Sequence, residues 1–532
     1  MLPGTNPPRR LLALLPCRVL TLGLVLLLGA CAGLPPRAAV APSHTITDTA
    51  GTPLARLAAA SLPPAADGPS GFRLLPTGEY AYGARTGLAR RAARGLDLQL
   101  YHLHHDQAGL ALLRELRAAA DRGVRVRLLV DDFHVADVAP LLHDLAAHPQ
   151  VQVRLFNPLP MRSGAPLWRL LLSRGDFEQH NHRMHNKLFI ADHAVALYGG
   201  RNVADEYFMG HAEANFIDMD LLSTGAIVAD LAAVFDRYWN SDSAWPIIQV
   251  LGAPAPAEQA LARFDAAVHA ARPAVPDYPL DPLGQSSVEQ QLQQGRLLQH
   301  GASAEVFADL PDKAVGGAPG KQPTAAMRGL LQALAGARQE VVIVSPYFVP
   351  GEVGMPMMRR AAEHGVRTVL YTNSLATTDE PLVHLHYSRY RAEMLRIGVQ
   401  IHEFDPGLTR ASRRFGDFGR STPRLHAKVA LVDRRQVLVG SVNLDARSAV
   451  ANTEMGVVID SPLLAAQLAG LMGDAASRGQ YQLRLRPDGQ DVEWAGVDDQ
   501  GRPVSTSDEP GSSAWLRFKL WLQSLFVAER LL

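Results

Sequence analysis

The chain has 532 residues and carries 52 basic and 52 acidic side chains, so its formal net charge at neutral pH is zero. That balance excludes a nucleic-acid binder driven by bulk positive potential, and the length allows two to four domains or one large two-lobed unit. The only cysteines, Cys17 and Cys31, fall in the first 31 residues, so the body of the protein carries neither a disulfide nor a cysteine-based metal site. Only five of the basic residues are lysine: Lys187, Lys313, Lys321, Lys428 and Lys519. A chain that otherwise uses arginine makes each compact ammonium worth inspecting.

At the N-terminus Arg9, Arg10 and Arg18 precede a short apolar run over 19–28, which ends in Leu28-Gly29-Ala30-Cys31. The pattern reads as a lipoprotein signal peptide over 1–30, cleaved before Cys31 with lipidation of its thiol; an ordinary signal peptide or an uncleaved anchor are the alternatives. It leads to the expectation of a lipoprotein anchored in a bacterial envelope and facing the periplasm. Ala32, where aspartate would hold such a protein back, points to the outer membrane. Residues 31–70, rich in Pro, Ala and Gly, read as a tether.

The body then alternates strand and helix signals. A strand is expected over 96–103, a helix over 110–122 and a β-branched strand over 124–130 that ends at Asp131-Asp132. This order predicts an α/β fold with a mixed sheet flanked by helices. The segment recurs. Arg-Gly-Val-Arg at 122–125 is echoed by His-Gly-Val-Arg at 364–367. His185-Asn186-Lys187 is echoed by His426-Ala427-Lys428, and Asp192, Gly199 and Asn202 by Asp433, Gly440 and Asn443, each 241 positions on (426 − 185). One offset kept across so many landmarks predicts two duplicated domains, over 71–250 and 321–490, packed as a pseudo-dimer within a monomer. Between them 251–320 reads as a linker with some helix. The tail 491–532 ends in an amphipathic segment from 514 onward, where Trp515, Phe518 and Trp521 stand beside Arg517 and Lys519; it suits a helix at a lipid surface or one docked on the protein's own core.

Each copy holds one His-x-Lys-x4-Asp motif: His185, Lys187 and Asp192, then His426, Lys428 and Asp433. Each lies on a strand-like run, so His and Lys, two apart, face the same way. Each is followed by a turn, Gly199-Gly200-Arg201-Asn202 and Gly440-Ser441-Val442-Asn443, where glycine is expected to let backbone N–H groups approach an anion. Such a set matches phosphodiester chemistry. Lysines and asparagines offset the charge that grows in a five-coordinate transition state. A neutral imidazole attacks phosphorus, and a protonated one supplies the leaving alkoxide with its proton. Asp218 and Glu454, 33 and 28 residues beyond their histidines (218 − 185 and 454 − 426), are the candidate carboxylates that set the two imidazoles apart.

These motifs, with Pro346-Tyr-Phe-Val-Pro350, Thr372-Asn-Ser-Leu-Ala376, Gly440-Ser-Val-Asn-Leu-Asp-Ala-Arg-Ser448 and Asn452-Thr-Glu-Met455, resemble the phospholipase D superfamily, and within it the bacterial cardiolipin synthase branch, most closely its C type. The resemblance spans about 70 to 490. It implies a catalytic set of His185, Lys187, Asp192, His426, Lys428 and Asp433. His185 is the nucleophile and His426 the acid and then the base. Glu454 orients His185 and Asp218 orients His426 across the pseudo-twofold. Asn202, Asn443 and Ser441 bind phosphate, while Asp192 and Asp433 fix the motif's own turns. No metal and no cofactor are required. The implied activity is phosphatidyl transfer that makes cardiolipin from phosphatidylglycerol and a second phospholipid, phosphatidylglycerol or phosphatidylethanolamine, at a membrane surface, with no nucleic acid as partner. One rival is a hydrolytic phospholipase D or other phosphodiesterase using the same site. Another, of a different class, is a catalytically silent lipid-binding scaffold.

Among other residues, His180-Asn181-His182 lacks a second ligand cluster and is discounted as a metal site. His384 is expected to line the cleft, while His102, His104, His105 and His386 are either lining or surface residues. Asp131 and Asp132 are read as caps, and Arg201 and Arg447 as phosphate ligands or partners of acidic neighbours.

Overall fold

The computed structural model describes residues 34–64, 68–160, 182–274, 278–314, 324–410, 418–473, 479–489, 491–498 and 500–524. The signal segment, Cys31, His180, Asn181, Lys321 and the chain beyond 524 lie outside them.

The first lobe contributes β1 (Ser70–Leu75), β2 (Gly95–Leu100), β3 (Arg125–Asp131), β4 (Val151–Phe156), β5 (Leu188–Ala191), β6 (Val195–Gly199), β7 (Ala214–Ile217), β8 (Asp220–Gly225) and β9 (Ala244–Pro246). Then follow β10 (His300–Ala308), β11 (Glu340–Val344), β12 (Arg367–Asn373), β13 (Gln400–Phe404), β14 (Thr422–Leu425), β15 (Val429–Val432), β16 (Gln436–Gly440), β17 (Met455–Asp460), β18 (Gln480–Leu485), β19 (Val492–Val497) and β20 (Pro503–Thr506). Side by side, the first lobe runs β1, β8, β6, β5, β2, β3, β4, β9, with β2–β3 and β3–β4 parallel and the other pairs antiparallel. The second repeats that order and polarity as β10, β17, β16, β15, β11, β12, β13, β18, and continues into β19 and β20. β1 pairs antiparallel with β10 and joins both halves into one 18-stranded sheet.

Local chemistry explains why the Gly-Val-Arg landmark recurs. The helix Gln107–Asp121 starts at Asp106, whose side chain accepts from Gly109 N–H, and buries Leu112, Leu113 and Leu116. It stops where Gly123 turns left-handed (φ 87°), with Gly123 and Val124 N–H closing on Ala120 and Ala119 carbonyls. The helix Gly351–Glu363 ends the same way, at Gly365 (φ 73°), with Gly365 and Val366 closing on Ala362 and Ala361. Each landmark is a glycine C-cap that turns the chain into a parallel strand. β3 and β12, parallel on both sides and covered by helices, are accordingly near-continuous buried runs.

Two expectations are corrected. Residues 34–64, assigned to the tether, lie on the first lobe. Asp97 and Arg127 are buried on parallel strands and need polar partners. Thr45 Oγ1 donates to Asp97 at 2.8 Å, and Arg127 donates to the Ser43 carbonyl at 2.9 Å. The helix Pro53–Ser61, capped by Thr52, buries Leu54 and Ala58 nearby. Likewise β10, inside the segment expected as linker, is the counterpart of β1, so the second lobe's sheet begins before 321. Its signal is weak because most of its residues are only partly buried and form neither an apolar run nor a clean alternation. Between the lobes a single apolar core runs from Phe72, Met184 and Ile217 to Val429, Val437 and Val457.

Candidate active site

The two motifs meet through two short exchanges of backbone between lobes. β7 pairs parallel with β14, in register Ile217↔Leu425. On the other side of the pseudo-twofold, Met184 bridges parallel to Thr453. One residue beyond each bridge, a histidine of one lobe stands beside a carboxylate of the other. His426 and Ala427 N–H both donate to the Ile217 carbonyl, and His185 N–H to the Thr453 carbonyl. The rings are held too: His185 Nδ1 lies 2.9 Å from Glu454 Oε2, and His426 Nδ1 lies 2.7 Å from Asp218 Oδ2. A carboxylate can only accept, so each Nδ1 carries the proton and each Nε2 is left to face a substrate.

Both lysines turn back over their histidines. Lys187 Nζ donates to the His185 carbonyl at 2.6 Å, and Lys428 Nζ to that of His426. Lys428 Nζ also stands 2.9 Å from His426 Nδ1, whose proton is committed to Asp218, so this contact is a charge beside the ring. Each ammonium lies over a tyrosine at the end of an equivalent strand. Lys187 is 5.0 Å from the Tyr101 ring and Lys428 is 5.9 Å from the Tyr347 ring. Those rings also present edges to the imidazoles, Tyr101 to His185 at 4.9 Å and Tyr347 to His426 at 6.4 Å. Sequence reasoning missed this tyrosine pair. Its signal was present, since Tyr101 directly follows β2 and Tyr347 shortly follows the equivalent β11.

Electrostatically the halves differ. Burial, with Lys187, Lys428 and the other histidine nearby, holds His185 well below the ordinary imidazole range. Burial and Lys428 also lower His426, but Asp218 opposes them. Burial would raise Asp218; the His426 ring and Lys428 outweigh it and hold the carboxyl at about 2. Burial pushes Glu454 up to about 6 against the pull of Lys187. Lys187 is driven well down by burial, and Lys428 down to about 8.

Supporting contacts account for several expected residues. Ser441, expected to bind phosphate, donates its hydroxyl to Glu454 instead, and Ser448 Oγ donates to the other Glu454 oxygen at 2.8 Å. The glycines serve close packing rather than anion binding. A methyl group on Gly200 would lie 2.1 Å from Asp218 Oδ1, and one on Gly440 would lie 2.3 Å from the Met455 carbonyl. The N–H groups of Gly200 and Ser441 donate to the Met219 and Met455 carbonyls. Asn202 donates to the Tyr207 hydroxyl at 2.7 Å, and that ring stands 5.2 Å from His426. Asn443 is buried nearby, with its N–H on Ser448.

Asp192 and Asp433 lie apart from the chemistry, about 15 Å along β5 or β15 from the lysines at strand rise. Asp192 accepts from Ala93, Arg94 and Gly95 N–H, and Asp433 from Arg338, Gln339 and Glu340 N–H. They fasten the entry to the neighbouring strand, β2 or β11, as well as sitting in left-handed turns of their own (φ 50° and 51°). Their place in a catalytic set is corrected.

Asp131 accepts from Phe133 and Met184 N–H and so caps its own loop while holding the chain one residue before His185; Asp132 accepts from Leu159 N–H. Arg201 donates to the Leu75, Pro76 and Asp218 carbonyls and pairs with Asp220, so it is a structural cation. Arg447 is half-buried, and its charge is felt by Tyr101 and His185. His384, expected in the cleft, is engaged by Glu509 at 2.8 Å and Arg391 at 2.7 Å. His102 and His104 cluster with His134 beside Tyr101, whereas His105 is exposed and His386 buried. Lys313 is a further missed residue. It donates to Asp309, which accepts from Glu454 N–H, and to the Ser448 carbonyl. Among the described residues no group of three His, Cys, Asp or Glu is placed to hold a metal ion.

Comparison with known proteins shows the family. The family model described as cardiolipin synthase, PLD-like domain matches residues 88–239 and 330–473, one match in each lobe. The chain is 36% identical to cardiolipin synthase C of Escherichia coli K12 over 90% of its own length and 100% of that protein. It is 26% identical to cardiolipin synthase A of Serratia proteamaculans, over 69% of this chain and 60% of that one. In fold it resembles the crystal structure of phosphatidylserine synthase from Haemophilus influenzae, with a TM-score of 0.56 at 14% identity, covering 89% of this chain and 96% of that one. The chain belongs to the cardiolipin synthase family of phospholipase D-like proteins.

Proposed function

We propose that the protein is a phosphatidyltransferase that makes cardiolipin through a phosphohistidine intermediate. The observation that carries this reading is the pair of imidazoles, each gripped at Nδ1 by a carboxylate of the opposite lobe. His185, held neutral, attacks phosphorus through Nε2: the N–P bond forms and the P–O bond to the departing alcohol breaks. His426, kept closer to its ordinary range by Asp218, gives that oxygen its proton. In the second step the acceptor hydroxyl gives its proton to His426 and attacks the same phosphorus, breaking the N–P bond. Two displacements give net retention at phosphorus. Lys187, Lys428, Asn202 and Asn443 supply the donors and charge that offset the growing negative oxygens.

The donor is a phospholipid, phosphatidylethanolamine or phosphatidylglycerol, and the acceptor is the free hydroxyl of phosphatidylglycerol. The enzyme works as a monomer whose two lobes stand in for a dimer. We place it in a bacterial envelope, facing the periplasm at the outer membrane and anchored through Cys31; among the described residues no helix is long and apolar enough to cross a membrane. Loss of lipid labelling on Cys31→Ala tests the anchor.

The functional test is lipid mass spectrometry of cells lacking their own cardiolipin synthases and expressing this chain, with and without His426→Ala. Cardiolipin is expected with the unaltered chain only. Phosphatidic acid alone would make the enzyme a hydrolase, and unchanged lipids in both strains would remove the transferase reading in favour of a scaffold.

A further inference from the structure

The helix Ala514–Ser524 rests on the helix Pro381–Ser388 by a narrow seam: Leu520 is 5% exposed, and Leu516, one turn earlier, is half-buried. The chain leading to it is fastened in place. Glu509 pairs with His384 and Arg391, and the turn at Gly511 (φ 78°) lies so close to Ala376 that a methyl group there would meet the Ala376 Cβ at 2.6 Å. The other face is apolar and faces water. Trp515 is 72% exposed, Phe518 50%, Trp521 55% and Leu522 is exposed as well, with the three aromatic rings following one another at 5.9 and 6.0 Å.

At about 100° per residue, the arc from Trp515 through Phe518, Trp521 and Leu522 is centred roughly opposite the Leu516–Leu520 seam. Arg517 and Lys519, both exposed, fall at its two edges, and the helix has no acidic residue. Tryptophan and phenylalanine flanked by cations on a surface helix match the chemistry of an anionic bilayer interface, where rings enter the acyl boundary and cations reach the headgroups. Position adds to composition. The supporting helix begins immediately after Asp379 and Glu380, and Asp379 accepts from the Tyr347 hydroxyl at 2.6 Å, next to His426. The helix that supports the aromatic face thus starts at residues that touch the surroundings of His426.

We infer that the aromatic face of the helix Ala514–Ser524 is the surface on which this enzyme seats itself on an anionic lipid bilayer, so that lipids reach the cleft without leaving the membrane. The inference deepens the lipid-transfer reading and rests on it for its purpose, while its geometry is independently testable.

The experiment uses the full chain on vesicles of phosphatidylglycerol and phosphatidylcholine in which the phosphatidylcholine carries brominated acyl chains. Bromine quenches indole on contact. Quenching is expected to be at least about twofold greater in the unaltered chain than in the Trp515→Phe, Trp521→Phe double variant, which keeps the apolar face. Phe518→Asp is expected to lower turnover of vesicle-borne phosphatidylglycerol about tenfold and leave turnover of a short-chain, monomeric phosphatidylglycerol unchanged. Equal quenching in both chains overturns the inference, as does equal loss on both substrates. So does light scattering that finds a dimer which Phe518→Asp splits, since the occupant would then be a second copy. Quenching without turnover of either substrate by the unaltered chain would support the seat and sink the transferase reading, so the two failures are distinct.

Discussion

The two half-sites stand on equivalent strands, yet their chemistry differs. In one, His185 faces a glutamate whose two oxygens each receive a serine hydroxyl, from Ser441 and Ser448, and whose carboxyl is pushed up to about 6. In the other, His426 faces a shorter aspartate packed tightly against Gly200, where Ser441's counterpart has no side chain, and that carboxyl is held at about 2. A fully ionised partner favours an imidazolium; a partner already sharing its charge with hydroxyls and Lys187 favours it less. One methylene of difference in carboxylate length, and a glycine exchanged for serine, thus give a symmetric backbone two unlike imidazole environments, the asymmetry that the proposed attacking base and proton donor require.

The strongest way to break this comparison is to remove each ring in turn. His185→Ala should lose about 10⁴-fold or more of activity on every substrate, since nothing replaces the nucleophile. His426→Ala should lose a comparable factor on phospholipids but still release a burst of about one leaving group per enzyme from an aryl phosphodiester, whose departure needs no proton, while later turnovers lack their base. Absence of that burst, measured by rapid-mixing kinetics, would contradict the division of roles. Next in size, Asp218→Asn should cost about 10²- to 10⁴-fold, because a neutral amide no longer supports the charge on His426, and Glu454→Gln should cost less; the reverse order would invert the two halves.

The pH profile sharpens the same contrast. Glu454 gains its proton as pH falls through about 6, which weakens its hold on His185, and Lys428 loses its charge as pH rises through about 8. A bell with limbs near those values is expected for kcat/KM, and Lys428→Arg, whose charge does not titrate there, should remove the upper limb. Smallest in effect on the chemistry are the signature aspartates. Asp192→Asn should leave kcat nearly unchanged and lower stability by about 2 kcal/mol, from lost charge-assisted bonds to backbone N–H groups. Asp433→Asn, at a more exposed turn, should cost less still. A large fall in kcat with unchanged thermal stability would return these residues to the catalytic set.

Much of this was legible from sequence because duplication prints itself twice. The fixed offset of the motifs predicted two equivalent α/β lobes, and one strand order recurs in both. The carboxylates Asp218 and Glu454 were found because they occupy comparable places after each motif. What was missed has physical reasons. Ser441 read as an anion ligand because only the folded chain brings Glu454 within reach of its hydroxyl. Asp192 belongs to the motif by spacing, but its partners are 97 to 99 residues upstream. β10 escaped notice because it is an intermediate, partly exposed strand without apolar alternation. The rarity of lysine proved a better guide than any local pattern: Lys187, Lys428 and Lys313 all gather at the cleft or its support, and Lys519 flanks the exposed aromatic face.

The most direct test of the account is to stop the reaction in mid-turnover and find the covalent adduct by peptide mass spectrometry, in the unaltered chain and in His426→Ala. The expected result is a phosphatidyl group on His185 of the unaltered chain, and in the variant an adduct on the same ring formed from an aryl phosphodiester, which needs no acid, and persisting because the second step lacks its base. A phosphatidyl group on His426 of the unaltered chain, or no histidine adduct in either protein during active turnover, would contradict it.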